Sequence, residues 1–530
     1  MSTVDVFSDD ERRLLAPYFT NADRPVFALR NLPEVVKGAL FARYSRSAKS
    51  LRRLFLDEFL DQVGDASVPG AVGLQRADKL YERVFDEYGD DSVAQLGVAH
   101  LACEGASNVL TKVLEWGRLM AYLEQSTRYI AYNDQRGGRW KYLVPAELED
   151  PALRQRYTTC LDLAFETYAA WIEPLEAHYR AKYPKEPSDP DGVYKRTIRA
   201  KALDTLRGLL PAATQSNVGL FGTGQAYEAL LLRMQRHPLD EVRAYGRMML
   251  DELRIVIPSF LKRVDRPDRG GRWSQYLAET AAATTGIAER LIGTATPESS
   301  PEVVLTDFDP DGETKVVAAA LYASAALPDG QLLRLVRALN AAQRAAVLRA
   351  YVGDRGNRRH KPGRAFERTG YRFDVLTDYG AFRDLQRHRL LTIEWQALSP
   401  RYGYAVADAV REAGALTAWE RVMEASAELH DAVCAAGHGP VAPYAVCMAY
   451  RIRFYMELNA REAMHMIELR TAPQGHAAYR RVCQAMHRLI DQKAGHHAIA
   501  AAMSFVDHSE VELERLHAER ASERRRQQRE

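Results

Sequence analysis

Residues Arg387 to Gly403 have the sequence RHRLLTIEWQALSPRYG, which begins with Arg387, His388 and Arg389 side by side. The same segment ends with a further arginine and a tyrosine, Arg401 and Tyr402. Adjacent cations repel each other, so they are expected to face an anionic partner. A planar guanidinium group matches the oxygens of a phosphate, and the segment therefore predicts a phosphate or pyrophosphate clamp. Taken alone, a basic triplet is more often a solvated surface turn.

A second, partial copy of this pattern lies upstream, at residues 117–130, with the sequence GRLMAYLEQSTRYI. The two copies are complementary. Trp116 and Gly117 stand where the later copy has Arg387 and His388, whereas only the upstream copy keeps the compact EQSTRY sequence.

Composition limits the class of protein. A chain of 530 residues has room for two to four domains, and 72 basic against 70 acidic residues leave a net charge of only +2. This balance favours neither a nucleic-acid nor a membrane partner. The five cysteines are scattered, without a CxxC pair, which predicts reduced thiols and no metal centre. The N-terminus lacks the apolar core of a signal peptide, and we expect a cytoplasmic protein.

The best domain boundary is the polar, proline-containing segment GTATPESSP, residues 293–301. It predicts a first domain over residues 1–292, a second over residues 302–507, and a charged tail over residues 508–530. Helical apolar spacing predicts helices before residue 90, through residues 92–117 and over residues 150–261. Residues 302–308 are predicted to form a strand, residues 370–385 to be extended, and residues 457–470 to be helical. Within residues 150–261, the glycines of GTG either open a phosphate-binding helix or simply cap it.

The motifs in both halves resemble those of one family. RHR followed by SPRY, and then NARxxxHxxxLR at residues 459–470, is similar to the flavin-dependent thymidylate synthase family, whose signature is RHRxxSxNExSxRY. LEQSTRY and HPLDEVR, in the first half, are similar to the corresponding motifs of that family. The resemblance covers most of residues 90–250 and 300–485. It implies a helix-rich α+β fold with two tandem domains, each with a small antiparallel sheet packed by helices.

The resemblance also implies roles for particular residues. FAD would be held by Arg387, His388, Arg389, Asn459 and His465. A pyrimidine nucleotide such as dUMP would be bound by Glu124, Gln125, Ser126, Arg128, Arg207 and Arg470. The residues closest to the chemistry would be Arg387, His388, Arg470 and Ser126, with no metal ion.

The sequence also departs from the family pattern. Two extra residues between Arg389 and Arg401 leave open whether Ala397 or Ser399 takes the serine position, so the role of the inserted segment 392–400 is undecided. His465 replaces the commoner asparagine of the flavin site, which keeps one hydrogen-bond donor. Each half alone lacks part of the site, so the resemblance implies one composite site shared by unlike halves.

The implied activity is flavin-dependent methylation of dUMP to dTMP, with methylenetetrahydrofolate as one-carbon donor and NADPH as reductant. Two alternatives have much the same motifs: a related flavin enzyme acting on another pyrimidine nucleotide, and a non-catalytic descendant that binds nucleotide or flavin. Because the family forms tetramers and each chain here supplies two units, the expected assembly is a homodimer that imitates a tetramer.

Overall fold

The computed structural model describes residues 5–509, apart from residues 26, 45, 46, 48, 61–94 and 188. Within these, the chain divides into two compact units. The first comprises Met1–Ala106, Gly117–Glu124 and Asn217–Ala295, and the second comprises Ser107–Trp116, Gln125–Ser216 and Thr296–Glu530. The units therefore differ from the two predicted domains, because residues 125–216 belong to the second unit. The segment 293–301 as the boundary between repeats remains a prediction, and most of the predicted tail lies outside the described residues.

The helices of the first unit lie before and after its sheet. Ser8 begins the first helix with a capping box, since its Oγ accepts from the Glu11 amide while the Glu11 carboxylate accepts from the Ser8 amide. Numbered in chain order over both units, the helices of this unit are α1 (Asp9–Leu15), α2 (Glu34–Tyr44), α3 (Leu51–Glu58), α7 (Gly224–Gln235), α8 (Asp240–Val256) and α9 (Arg272–Ile292).

The sheet of the first unit has the order β1-β3-β2. Its strands are β1 (Val98–Ser107), β2 (Met120–Glu124) and β3 (Gln215–Thr223). Strands β2 and β3 are antiparallel, with Met120 opposite Gly222 and Glu124 opposite Val218. Alternate residues of β3 are buried, as expected for a strand with one face on a core.

The second unit is built on an antiparallel sheet with the order β4-β5-β7-β6. Its strands are β4 (Val303–Phe308), β5 (Gly370–Asp378), β6 (Leu391–Trp395) and β7 (Arg451–Asn459). Gly370 pairs with Asn459 and Asp378 with Arg451, so β5 and β7 are matched along their whole length. The apolar residues of this sheet share one core with the helices, and that core includes Phe373, Phe382, Met456 and Ile467.

Twelve described helices belong to this second unit or border it. They are α4 (Asn108–Leu114), α5 (Pro151–Lys182), α6 (Asp191–Leu206), α10 (Gly312–Ala325), α11 (Asp329–Ala338), α12 (Ala341–Val352), α13 (Tyr379–Gln386), α14 (Asp408–Glu412), α15 (Leu416–Ala435), α16 (Ala460–Arg470), α17 (Ala477–Gln492) and α18 (His497–Ala502). Two helices needed for the site end at an arginine. Arg470 is the last residue of α16, and Arg387 is the C-cap of α13.

The helix-rich α+β fold with two small antiparallel sheets is confirmed, but several local predictions were wrong. Residues 98–107 and 215–223 are strands where helices were expected. Residues 370–385 are extended only as far as Asp378 and then form α13. In the predicted inserted loop, residues 392–395 belong to β6, and residues 457–459 end β7 before α16 begins. No described helix is long and apolar enough to cross a membrane.

Candidate functional site

Four arginines that are far apart in the sequence come together in the second unit. Arg128 follows β2, Arg207 opens a short 3₁₀ turn after α6, and Arg387 and Arg470 end their helices. Arg207 is 4% exposed. Two of these residues come from the first half of the sequence and two from the second, and buried carboxylates connect them.

Asp384, on α13, is the centre of the first group. Its Oδ1 forms an ion pair with Arg387 Nη2, one helical turn later, and lies 3.7 Å from Arg470 Nη1. Its Oδ2 lies 3.6 Å from Arg207 Nη1. Burial by itself raises the pKa of Asp384, but the combined positive charge of these arginines and Arg128 holds that pKa well below its usual value. Asp384 is therefore ionised at neutral pH.

Asp204, on α6, is the centre of the second group. Arg128 Nε donates to its Oδ1 at 3.0 Å, and Arg207 Nε lies 3.5 Å from the same oxygen. Burial opposes ionisation here too, but His476, Arg128 and Arg207 lower the pKa of Asp204 to about 2. Arg207 thus joins both carboxylates, and the two groups form one network.

Arg128 and Arg470 approach the same tyrosine, Tyr479 on α17. Arg128 Nη1 donates to Tyr479 Oη at 3.4 Å, and Arg128 Nη2 donates to the carbonyl of Gln474 at 3.1 Å. The guanidinium carbon of Arg470 lies 5.4 Å from the centre of the Tyr479 ring. These contacts fix both guanidinium groups, and fixed donors lose less entropy when they bind a ligand.

His388 is held in one tautomer. Arg470 Nε, which can only donate, lies 3.0 Å from His388 Nε2, so this nitrogen accepts. His388 Nδ1 therefore carries the proton and donates to Glu462 Oε1 at 3.0 Å. Burial, with Arg470 and Arg387 adding to it, lowers the pKa of His388 well below its usual value. The imidazole is neutral at physiological pH.

The other predicted flavin residues lie on α16 or near it. Asn459 is the N-cap of α16, where its Oδ1 accepts from the Glu462 amide at 2.9 Å. The ring of His465 lies 5.6 Å from the ring of His388, and burial lowers the pKa of His465 to about 4. Arg389 is exposed. Arg387, His388 and His465 are thus brought together, whereas Asn459 is connected to them through the helix that it caps.

The side chains of His388, Glu462 and His465 place potential metal-ligand atoms within 4.8 Å of one another. Both ring nitrogens of His388 already have partners. Lys361 and Arg389 add positive charge next to Glu462. Such a field repels a divalent cation and attracts an anion. We therefore assign no metal ion to this cluster, and the expectation of a metal-free protein stays a prediction.

Hydrogen bonds of 3.3–3.4 Å hold the EQSTRY turn in place within the second unit. Ser126 Oγ accepts from the Arg128 amide at 3.3 Å, and the Gln125 carbonyl accepts from Ser216 Oγ at 3.3 Å. Arg383 Nη1 donates to Thr127 Oγ1 at 3.4 Å. Glu124 is the last residue of β2, in the first unit. Of the predicted nucleotide residues, the structure thus brings together Arg128, Arg207 and Arg470.

A cavity of about 400 Å³ lies beside the network, in the second unit. Arg207 and Asp204 line it together with His476 and Trp419. In the described part of the chain, Arg207 Nη2 is buried and has no hydrogen-bond partner. A Cβ on Gly380 would lie 3.2 Å from that nitrogen, so the absence of a side chain there makes room for the guanidinium group. A buried donor without a partner is costly.

The acidic partners of these arginines, Asp204 and Asp384, were not predicted from the sequence. Asp204 and Asp384 each precede an arginine of the network by three residues, which places the two charges on one side of a helix end. Glu462 follows its cap Asn459 by three residues in the same way. An acidic residue three positions before Arg207 and before Arg387 was therefore a usable signal.

Taken together, the fold and the network define a tandem helix-rich α+β protein with a cluster of arginines around two buried carboxylates. The chain matches the family described as Thymidylate synthase complementing protein over residues 39–259 and 304–495. It therefore belongs to the thymidylate synthase complementing protein family. Because the family matches both segments, the tandem arrangement predicted from the repeated motifs is confirmed.

Proteins similar to this chain differ in their sequence identity to it and in the share of the chain that they match. A UPF0159 protein of Chlamydia muridarum is 38% identical over 520 residues, which are 97% of this chain and 98% of that protein. A flavin-dependent thymidylate synthase of Clostridium tetani is 23% identical over 181 residues, which are 33% of this chain and 66% of that enzyme. Among solved structures, a UMP/dUMP methylase PolB from Streptomyces cacaoi, bound with 5-Br dUMP, is similar over 38% of this chain and 96% of its own, with 18% identity and a TM-score of 0.29. A TM-score this low does not establish a shared fold.

Proposed function

We propose that the chain is a flavin-dependent enzyme that methylates a pyrimidine nucleotide of the dUMP type. The observation that carries this proposal is the arginine network, in which Arg128 and Arg207 of the first half meet Arg387 and Arg470 of the second. Family membership and the activity named for the C. tetani relative support the reaction class. The convergence supports one composite site built by both halves.

The charge of the network suits a nucleotide monophosphate. Against the four guanidinium charges, the two ionised carboxylates of Asp204 and Asp384 leave a net charge of +2. A phosphate monoester carries about −1.5 to −2 at pH 7. The carboxylates thus hold the arginines in position and still leave charge for the ligand. Arg207 Nη2, which has no partner among the described residues, is a donor ready for a phosphate oxygen.

The remaining nucleotide contacts follow from the family resemblance. We assign the phosphate and sugar to Glu124, Gln125, Ser126 and Arg128, and the pyrimidine to Arg470. Arg470 is held by His388 and by the Asp384 carbonyl, at 3.0 and 2.5 Å, so its guanidinium plane is fixed. A fixed cation beside the ring stabilises negative charge that develops there during reaction.

The residues around His388 fit FAD. The cations Arg387, Arg389 and Lys361 make a positive surface beside the neutral imidazoles of His388 and His465, which suits a diphosphate-bearing cofactor. Bound FAD would supply hydride transfer, with NADPH and methylenetetrahydrofolate as co-substrates. The chain's own part is to bind the anions, orient the pyrimidine and keep His388 neutral.

A second function, nucleotide or flavin binding without turnover, is favoured by one observation. The guanidinium groups of Arg128 and Arg387 are already engaged by Asp204 and Asp384 in the structure. A ligand must then compete with internal partners, which suits a sensor as well as an enzyme.

The two functions are distinguished by one experiment. Purified protein is loaded with FAD, mixed with dUMP, methylenetetrahydrofolate and NADPH, and analysed for dTMP by chromatography. Arg470→Ala serves as the inactive control. Formation of dTMP that disappears in this variant supports the enzyme. Flavin binding and dUMP binding without any product support the non-catalytic function, and failure to bind either ligand defeats both.

A further inference from the structure

Helix α9 projects an apolar surface into solvent. Ser274 is its only buried residue, and Ser274 Oγ donates to the Leu232 carbonyl at 3.0 Å, which anchors the first turn on α7. Residues 279–292 are exposed apart from the half-buried Ala288. Large apolar side chains are nevertheless concentrated here: Trp273 is 52% exposed, Tyr276 62%, Ile287 48%, Leu291 71% and Ile292 65%. An apolar surface of this density on one helix points to a partner.

The apolar residues have the spacing of a coiled-coil seam. One face of α9 carries residues separated by steps of four, three, four, three and four, namely Trp273, Leu277, Thr280, Thr284, Ile287 and Leu291. This is the a and d pattern of the heptad repeat, and it extends for about 27 Å at 1.5 Å per residue. The expected partner is therefore another helix.

The seam is also complementary to itself. In an antiparallel pair centred on Ala282, Trp273 lies opposite Leu291 and Leu277 lies opposite Ile287 of the second copy. Thr280 and Thr284 then meet at the centre, where the neighbouring residues are alanines. Large residues at both ends and small residues in the middle give the same profile from either direction. A two-fold interface requires this property, because each patch packs against its own copy.

The polar groups of α9 do not oppose such a pair. Thr280 Oγ1 donates to the Tyr276 carbonyl at 2.9 Å, and Thr284 Oγ1 donates to the Thr280 carbonyl at 2.8 Å, so burial leaves neither hydroxyl unsatisfied. The seam itself is uncharged. A membrane surface is a poorer partner, since α9 contains two arginines and two glutamates and no lysine.

We propose that α9 pairs with α9 of a second copy of this chain as an antiparallel two-stranded coiled coil. The pairing supplies the contact surface that holds together the homodimer expected from the sequence, and it does not depend on the proposed function. The two-fold axis passes near residues 281–283.

The seam is tested by charge substitution. The Ile287→Glu, Leu291→Glu double variant places four charges on the proposed seam of a dimer, whereas Ala282→Glu with Thr285→Glu adds the same charge on the opposite face. Sedimentation velocity should give twice the 59.7 kDa chain mass for the wild type and the control, and the single-chain mass for the seam variant. Unchanged circular dichroism and thermal midpoint show that the seam variant is folded. A wild-type monomer, or a dimer that persists in the seam variant, overturns the proposal.

The direction of the pair is tested by a disulfide. In a background in which the exposed Cys434 is replaced by alanine, Ala283→Cys places a thiol close to its own copy across the axis, whereas Ala282→Cys points away from it. Mild oxidation should give a covalent dimer on a non-reducing gel with Ala283→Cys and none with Ala282→Cys. Equal yields from the two variants, or none from either, exclude the antiparallel pair.

Discussion

Arg207 Nη1 lies 3.6 Å from Asp384 Oδ2, so an arginine from the first half of the sequence is paired with a carboxylate from the second half. The same carboxyl group pairs with Arg387, the first residue of the RHR motif. Asp384 therefore connects the proposed nucleotide residues to the proposed flavin residues. A substitution of Asp384 should therefore affect both the nucleotide residues and the flavin residues.

Replacing Asp384 by asparagine should lower the free energy of unfolding by about 3–5 kcal/mol, because buried arginines lose their counter-charge. Asp10→Asn is a matched control, since Asp10 and Arg13 have the same i,i+3 spacing but side chains that are 84% and 77% exposed. Its effect should stay below about 1 kcal/mol. Denaturant unfolding at pH 7 measures both. Equal effects of the two substitutions would show that the Asp384 network contributes nothing to stability.

Arg128→Ala should weaken dUMP binding while FAD stays bound, because Arg128 belongs to the nucleotide part of the network. A charge-assisted hydrogen bond contributes about 1.5–3 kcal/mol, which is roughly tenfold or more in affinity. Titration calorimetry measures this, with Tyr479→Phe as a control that removes only the 3.4 Å bond to Arg128. The same dUMP affinity in wild type and Arg128→Ala would remove Arg128 from the site.

Replacing Arg387 and His388 together by alanine should reduce FAD affinity by roughly tenfold or more per lost contact. Arg401→Ala is the comparison, since Arg401 is an exposed arginine of the same motif with no assigned flavin role. Flavin fluorescence during titration reports binding. An FAD titration curve that does not change in the double variant would contradict the assignment of these residues to the flavin.

His476 predicts a loss of stability in mild acid. Burial, with Arg207 adding to it, lowers the pKa of His476 to about 4 from an ordinary 6.5. Between pH 4 and 6.5 the unfolded chain therefore binds a proton at this residue that the folded chain does not. The contribution of the neutral His476 to the free energy of unfolding is complete above pH 6.5 and is lost as the pH falls towards 4. A difference of about 2.5 pKa units corresponds to roughly 3 kcal/mol.

His476→Asn tests this pH dependence with little change in structure. The His476 Nδ1 accepts from the Ala478 amide at 3.3 Å as the cap of α17, and an asparagine oxygen can make the same bond without titrating. Unfolding free energies of the variant should depend less on pH between 4 and 6.5. A slope equal to that of the wild type would assign the titration to another group.

FAD should saturate at one molecule per chain, because the motifs of the two halves together predict only one complete set of flavin and nucleotide residues. Equilibrium dialysis against FAD, with protein concentration from amino-acid analysis, gives the ratio. Two flavins per chain would show that both halves keep a complete site.

The sequence motifs predicted the arginines well because each is tied to a local pattern. Arg128, Arg207, Arg387 and Arg470 were all named from their motifs, and the structure brings them together. The two carboxylates between them were missed, since a search for cations finds donors and not the groups that hold them. The contact of Asp204 with Arg128 and that of Asp384 with Arg207 also depend on chain segments that are distant in sequence.

The first sheet was missed for a different reason. Strand β1 has the sequence VAHLACEGAS, whose small residues have little intrinsic preference for a strand. Strand β3 does alternate, with Val218 and Leu220 buried and Asn217 and Gly219 exposed, but it runs directly into α7. Pairing with distant strands decides the conformation of such segments, and no local window contains that information.

The second unit is built from segments that are far apart in the sequence, and this has a consequence for protein synthesis. The amide of Ala212 donates to the carbonyl of Val446, and the amide of Met448 donates to the carbonyl of Leu210, both at 2.8–2.9 Å. Residue 210 therefore leaves the ribosome well before its partners are made. At ~5–20 residues per second, the intervening stretch of roughly 240 residues takes about 10–50 s to translate. Throughout that interval the apolar faces of α5 and α6 lack the part of the core that covers them in the complete chain.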